Sequence, residues 1–421
     1  MRLLWLSNMT PGPVKEALGG KNADGLWMDH VLRDLRKQQD LKIHLLCAAD
    51  REEEGRLDEN CSFSLFPIGS FTEENPALSQ KFVEQLREFQ PDVVHIWGTE
   101  FPHTLSMLKA CRQEDLLDHT VVSIQGLCSF IAEHYNEGIP PETVRHSTFR
   151  DFLRQDNLLQ QQKAFLKRGE NEQAALALAR HVIGRTHWDR ACTAQLNPEA
   201  QYHFCNETLR EGFYSGAWQY ETCSKHRIFA SSCLYPVKGF HYLLKAFDQV
   251  KKNCGDAVLS VPGESPVAVG LKERLRQDGY KRYLSSLLRQ YDLESSVEFL
   301  GSLTEENMKE AYLNANVFVL PSTIENSSNS LGEAMLLGVP TVAADVGGVT
   351  SMLENGREGI VYQGTAPYML ADAILQVFRM EKQAETMGKA AAAHAAVTHD
   401  PKTNFSALLG IYDAVRKKGE A

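Results

Sequence analysis

No stretch of the 421 residues approaches the ~20 consecutive apolar residues of a membrane span, and Met1–Leu6 enters a strand-like run with no signal-peptide core. A cytoplasmic setting is expected, with peripheral contact at the inner face of the membrane left open. The nine cysteines are scattered and make no Cys-x-x-Cys pair, which points to free thiols and away from a zinc site or a disulfide framework. Positive charge is in deficit: 44 Lys and Arg against 54 Asp and Glu leave −10, which speaks against general nucleic-acid binding. The run Gly19-Gly20-Lys21-Asn22-Ala23-Asp24-Gly25 lacks the Gly-x-Gly-x-x-Gly spacing of a dinucleotide site. Internal repeats and low-complexity tracts are absent too.

What is present is an alternation of short apolar runs with helical patterns, the mark of parallel α/β sheets. Leu3–Leu6, Ile43–Cys47, Val93–Trp97, Val121–Ile124 and His181–Gly184 form one series. Ile228–Ser231, Val258–Val261, Val297–Leu300, Val317–Leu320 and Thr341–Ala344 form a second. A chain of this length suits two cores better than one. The expected division is a first domain over 1–220, a second over 221–395, and a C-terminal helix over 396–421 that packs back on the first. Gly212–Arg227, mixed in polarity and without a period, is the expected hinge.

The second series contains the richest segment. Val317–Leu320 reads as a strand stopped by Pro321, residues 322–329 as a loop, and Leu331–Leu337 as a short helix ended by Gly338 and Pro340. The first N–H groups of a helix lack partners and carry the positive end of its dipole, so the turn at Asn329, Ser330 and Leu331 is suited to a diphosphate. Glu333, one turn in, is placed to accept hydrogen bonds from two ribose hydroxyls. Glu325, before the loop, is placed to meet a sugar ring. The plainer alternative is that Glu333 complements the helix dipole and Glu325 is a solvated loop residue.

The run Glu325 to Gly348, with Glu333-Ala334-Met335-x-x-Gly338-x-Pro340 and then Gly347-Gly348, resembles the donor-binding signature of GT4-type retaining glycosyltransferases, many of which build bacterial surface polysaccharides. Pro91–Thr99 in the first half and Lys238-Gly239 at the head of a helix extend the similarity. The resemblance implies a GT-B fold, two Rossmann-like parallel-sheet domains facing across a cleft. It further implies transfer of a hexose or N-acetylhexosamine from a nucleotide-diphosphate sugar to a hydroxyl of a glycan or lipid-linked glycan, in cell-surface glycan synthesis.

On this reading Glu325 and Lys238 are catalytic: Glu325 beside the sugar, Lys238 stabilising the departing diphosphate. Asn329, Ser330, Leu331 and Glu333 bind the donor, and Gly19 and Gly20 supply its opposite wall, although a plain surface turn explains those glycines equally well. No cofactor beyond the donor and no metal is expected, since no Asp-x-Asp stands at a strand end. A sugar-nucleotide epimerase on the same fold and a non-catalytic nucleotide-sugar-binding protein are the alternatives.

Two positions depart from the family. Cys233 stands where an arginine usually precedes the lysine by five residues, and a thiol cannot replace a guanidinium on phosphate. Gln125 stands where relatives often carry histidine near the acceptor, and it cannot take a proton. Thr99 and Glu100, with His95 and His103, cluster after a strand where an acceptor would be met; capping and loop hydrogen bonds account for them as well. His181 and His187 show no ligand spacing and read as structural.

Val144–Gly169 holds Arg145, Arg150, Arg154, Lys163, Lys167 and Arg168 against Asp151 and Asp156, interleaved with Phe149, Phe152, Leu153, Leu158, Leu159, Phe165 and Leu166. The favoured expectation is a helical pair in the first domain that buries this apolar face. Contact with anionic lipid or a lipid-diphosphate acceptor is the other.

Overall fold

Apolar runs that are buried on both faces build two parallel sheets, as β-strands flanked by helices require. The computed structural model describes residues 1–20 and 27–416. The first sheet holds β1 (Arg2–Ser7), β2 (Lys42–Ala49), β3 (Glu53–Arg56), β4 (Cys61–Pro67), β5 (Val93–Trp97), β6 (Thr120–Ser123), β7 (His181–Gly184) and β8 (Gln201–Phe204). Its order is β3-β4-β2-β1-β5-β6-β7-β8, with only β3 antiparallel to its neighbour. The second holds β9 (Arg227–Phe229), β10 (Val258–Val261), β11 (Val297–Phe299), β12 (Val317–Leu320), β13 (Thr341–Asp345) and β14 (Ile360–Gln363), ordered β11-β10-β9-β12-β13-β14 and wholly parallel.

The chain divides into two units. The first comprises Met1–Phe130, Ala164–Thr208 and the chain from His399 onward; the second comprises Ile131–Lys163 and Leu209–Thr398. In the first, Leu3, Trp5, Ile43, Val93 and Val121 share a core with Leu408, Ile411, Tyr412 and Val415 of the Pro401–Val415 helix. The indole of Trp5 donates to the Tyr412 hydroxyl at 3.0 Å, and that hydroxyl bonds His95 Nδ1 at 2.6 Å. In the second, Phe229, Phe318, Leu331, Met335 and Ala391 lie in one cluster. Gly338 and Gly388 touch backbone to backbone there, so a methyl at Gly388 would overlap the Gly338 carbonyl.

Several expectations change. Gly19 and Gly20, read as one wall of the donor site or a plain surface turn, follow a helix, Gly12–Ala17, and close its C-terminus through N–H groups donated to Glu16 and Lys15 carbonyls at 2.9 Å. Residues 21–25 of the glycine-containing run lie outside the described residues, as do 417–421 of the expected C-terminal helix. The segment 212–227 is packed on the second unit: the Trp218 indole donates to the Ala315 carbonyl at 2.7 Å, and the Trp218 amide to Leu337 at 2.8 Å. Residues 131–163 also pack within the second unit, as helices Pro141–Arg145 and Phe149–Arg154 and the start of Leu158–Leu176. Phe149, Phe152 and Leu153, expected to be buried, are 57, 73 and 65% exposed, because the capping box at Thr148 turns the Asp151 side of that short helix inward instead.

In each sheet the strand order reverses beside the first strand, between β1 and β5 and between β9 and β12. Loops leaving the carboxyl ends of those strands diverge there and open a crevice, the usual ligand position in open α/β sheets.

Candidate functional site

At the switch point of the second sheet, loops from β9, β12 and β13 converge on Glu325. The β9 loop ends in a short turn, Pro236–Lys238, and Gly239, at φ +66°, opens the Phe240–Asn253 helix. The Thr323 amide donates to the Val237 carbonyl at 2.8 Å, joining the β12 loop to the β9 loop. Lys238 Nζ then reaches Glu325 Oε2 at 2.7 Å, and Ser322 Oγ donates to the same oxygen at 3.1 Å. From β13, the Gly348 amide donates to the Glu325 carbonyl at 2.9 Å, with Gly347 at φ +51°. A methyl at Gly239 would overlap the Pro321 carbonyl, and one at Gly347 the Glu325 carbonyl. Both glycines are therefore set by close backbone approach to the loop that carries Glu325.

The Asn329–Leu336 helix starts two residues earlier than the sequence pattern indicates, because Ser328 caps it: its Oγ accepts the Leu331 amide at 3.4 Å. Ser328 Oγ also contacts Ser330 Oγ at 3.0 Å, and the Tyr312 hydroxyl donates to the Ser330 carbonyl at 3.0 Å. Asn329 and Ser330 are half-buried; Leu331 points into the core. Glu333 is buried, and both its oxygens accept from Arg210, Nε at 2.7 Å and Nη2 at 2.8 Å. Burial pushes the Glu333 carboxyl up, and the Arg210 fork pulls it back by less.

Arg210 is the main contact that the sequence did not reveal. It sits 123 residues from its partner, just before the aperiodic stretch 212–227, and stacks 4.7 Å from the Phe213 ring. Cys233 is buried, its thiol pushed up to about 12 chiefly by that burial, and Sγ donates to the Pro262 carbonyl at 3.4 Å. Lys281 bears on the same place: its charge partly offsets that rise, and its ammonium is 3.9 Å from Glu264, next to the Gly263 that packs on Cys233.

At the switch point of the first sheet, Thr99 and Glu100 belong to one buried network. Thr99 Oγ1 donates to Glu172 Oε1 at 2.6 Å, and Ser129 donates through N–H and Oγ to Oε2 at 3.2 Å. Glu100 accepts from Asn8 Nδ2 at 3.0 Å and from the Gly126 amide at 3.1 Å, and Asn8 Oδ1 bonds His103 at 2.6 Å. Burial raises the Glu172 carboxyl to about 7, raises Glu100 as well, and lowers His103 to about 3. Gln125 lies in a neighbouring network, donating to Glu207 Oε1 at 2.8 Å while Glu207 pairs with Arg185. Glu172 was not read from the sequence; it is buried on the helix face shared by Ala175 and Leu176. Among the described residues, His226, Cys254 and Asp256 form one potential metal-ligand group. They precede β9 and β10, at the strand ends opposite Lys238 and Glu325.

Known proteins resemble part of this chain in sequence and nearly all of it in fold. Residues 224–394 match glycosyl transferases group 1. Lys238, Glu325, Asn329–Leu331 and Glu333 all fall inside the match, and the likeness to GT4-type enzymes read from Glu325–Gly348 holds. D-inositol 3-phosphate glycosyltransferase of Corynebacterium diphtheriae is 34% identical over 110 residues, 26% of this chain and 26% of that protein. Such alignments span between 21 and 49% of the curated relatives' length. Sucrose-phosphate synthase of Thermosynechococcus elongatus superposes with a TM-score of 0.68 at 16% identity, covering 98% of each chain. HepE of Anabaena, solved with UDP, superposes with a TM-score of 0.66 at 17% identity, covering 98% of this chain and 100% of that one. The fold is GT-B, built from two Rossmann-like domains.

Proposed function

We propose that this chain is a group 1 glycosyltransferase that moves a hexose or N-acetylhexosamine from a nucleoside diphosphate sugar to a hydroxyl, with retention and without metal, in cell-surface glycan synthesis. The observation that carries it is the convergence of three strand-end loops on the Lys238–Glu325 pair, beside the Asn329–Leu336 helix start and the buried Glu333. Lys238 would move from Glu325 to the donor diphosphate and offset the charge that grows as it leaves. Lys281 would supply the second cation, in place of the arginine lost at Cys233. Amides at Asn329 and Ser330 would face the phosphates; the Leu331 amide serves the Ser328 cap. Glu333 would take ribose hydroxyls with the lone pairs that Arg210 leaves. UDP is the first nucleotide to test, since HepE was solved with UDP and with UDP-glucose.

In a retaining transfer the anomeric carbon–phosphate oxygen bond breaks, and the acceptor oxygen bonds that carbon on the same face. The acceptor proton passes to a departing phosphate oxygen, so no side-chain base at Gln125 is needed. Thermal-shift screening against UDP, GDP, ADP, CMP and NAD without metal tests the site. Stabilisation by one nucleoside diphosphate, lost in Glu333→Ala, is expected; stabilisation by NAD alone overturns it. With the matching donor sugar, Lys238→Ala should lower kcat by more than tenfold, on the order of 1.4 kcal/mol or more, with little change in nucleotide binding. Donor converted to an epimer without acceptor would favour the epimerase instead.

A further inference from the structure

The second unit exposes an apolar face that the donor site does not use. Phe149, Phe152 and Leu153 share one side of the Phe149–Arg154 helix at i, i+3 and i+4 spacing. That helix is anchored from its other side: Asp151 Oδ2 accepts the Thr148 amide at 3.2 Å and the Gly279 amide at 2.9 Å. The Gly270–Arg276 helix packs against it and adds Val269, Leu271 and Leu275, which are 79, 75 and 44% exposed. Six large apolar side chains thus lie exposed on or beside two helices in contact, with Phe149 and Leu275 lining one groove. Protein surfaces ordinarily scatter such residues singly; a contiguous patch marks a contact surface.

Cations outnumber acids on the two helices: Arg150, Arg154, Lys272, Arg274 and Arg276 stand against Asp151 and Glu273. Arg145, Arg154, Lys272, Arg274 and Arg276 are exposed or half-exposed. Three of the neighbouring acids have partners, while Glu142 stands exposed. Asp151 and Asp156 hold Arg150 at 3.0 and 2.8 Å, and Glu273 accepts the Val269 amide at 2.6 Å. Between the helices runs a groove of about 510 Å³ lined by Phe149, Leu275, Arg274, Arg282 and Arg289. In a chain of net charge −10, this is a local cationic field carrying apolar tips.

We infer that this face is a docking surface for an anionic phospholipid bilayer. The Phe149, Phe152, Leu153, Val269 and Leu271 tips enter the headgroup boundary, while Arg154, Arg274 and Arg276 meet lipid phosphates and the groove arginines take others. Both helices are shorter than eight residues, so the contact is a shallow anchorage of side chains and not a buried amphipathic helix. Charge complementarity selects the bilayer over a second copy: two copies would set cation against cation across the patch.

Flotation of the full chain with vesicles tests this without nucleotide or sugar, so its outcome is independent of the transferase reading. The chain should float with mixed phosphatidylcholine–phosphatidylglycerol vesicles, stay behind with phosphatidylcholine alone, and be released by high salt. A Phe152→Ser/Leu271→Ser variant should lose binding by on the order of tenfold or more, and Arg274→Glu/Arg276→Glu likewise. Val397→Ser, at a valine 75% exposed on another helix, should float as the parent does. All are surface changes, and an unchanged melting temperature verifies folding. Failure to float with anionic vesicles overturns the inference, as does flotation that the two double variants retain. A dimer in sedimentation, lost in Phe152→Ser/Leu271→Ser with vesicles ignored, overturns it in favour of a second copy.

Discussion

Glu172 carries the most strongly perturbed carboxyl at the first unit's switch point, and it can be tested in isolation. Its carboxyl is raised to about 7 from an ordinary 4.5, chiefly by burial, although Thr99 and Ser129 donate to it. Between those values the folded chain holds a proton that the unfolded chain has released, so stability falls as pH rises through the window, by up to ~3 kcal/mol. Urea unfolding at pH 5 and pH 8 should show this loss, and Glu172→Gln should remove most of it; an unchanged slope would place the carboxyl elsewhere. Glu333 and Arg210 show where reading residue by residue stops. Glu333 stood out through its motif, whereas Arg210 reaches it across 123 residues by a side-chain path that no local pattern encodes. Lys238 and Glu325 were legible one by one, but not their mutual ion pair.

At the scale of elements, the glycine motifs have one mechanical cause. The β9, β12 and β13 loops touch backbone to backbone, and a side chain at Gly239 or Gly347 has no room. Gly347→Ala should therefore cost both a left-handed backbone and a clash with the Glu325 carbonyl. Gly356→Ala, at φ +79° with nothing within 4 Å, should cost the backbone strain alone, about 1–2 kcal/mol. Thermal unfolding of the pair should show Gly347→Ala the more damaging, with nucleotide stabilisation lost only there; equal effects would refute the close-approach account. The central strands other than β4 were readable because burial on both faces demands an unbroken apolar run; in Cys61–Pro67 that run is interrupted by Ser62 and Ser64. The edge strands β3, β8 and β14 passed unnoticed because one side meets water and the run is diluted, as in Gln201–Phe204, which is nowhere fully buried.

Across the whole molecule, the two sheets were legible and the routing of the chain between units was not. Residues 131–163 join the second unit through long-range pairings such as Asp151 with Gly279 and His241 with the Glu137 carbonyl, at 2.9 Å each. The chain from His399 onward completes the first unit through Tyr412 and its apolar neighbours. Removing residues after Thr398 should leave the second unit folded, keeping its cooperative melt, and should expose the first unit's core to dye binding and rapid proteolysis. A truncated chain with both units protected would show that the helix is dispensable. The Trp5–Tyr412 bond, 407 residues long in sequence, also orders events during synthesis. β1 has no complete core until the Pro401–Val415 helix follows it out of the ribosome. A chain that stops before Tyr412 thus leaves its first unit open to chaperones and proteases, and only one that carries that helix becomes hidden from them.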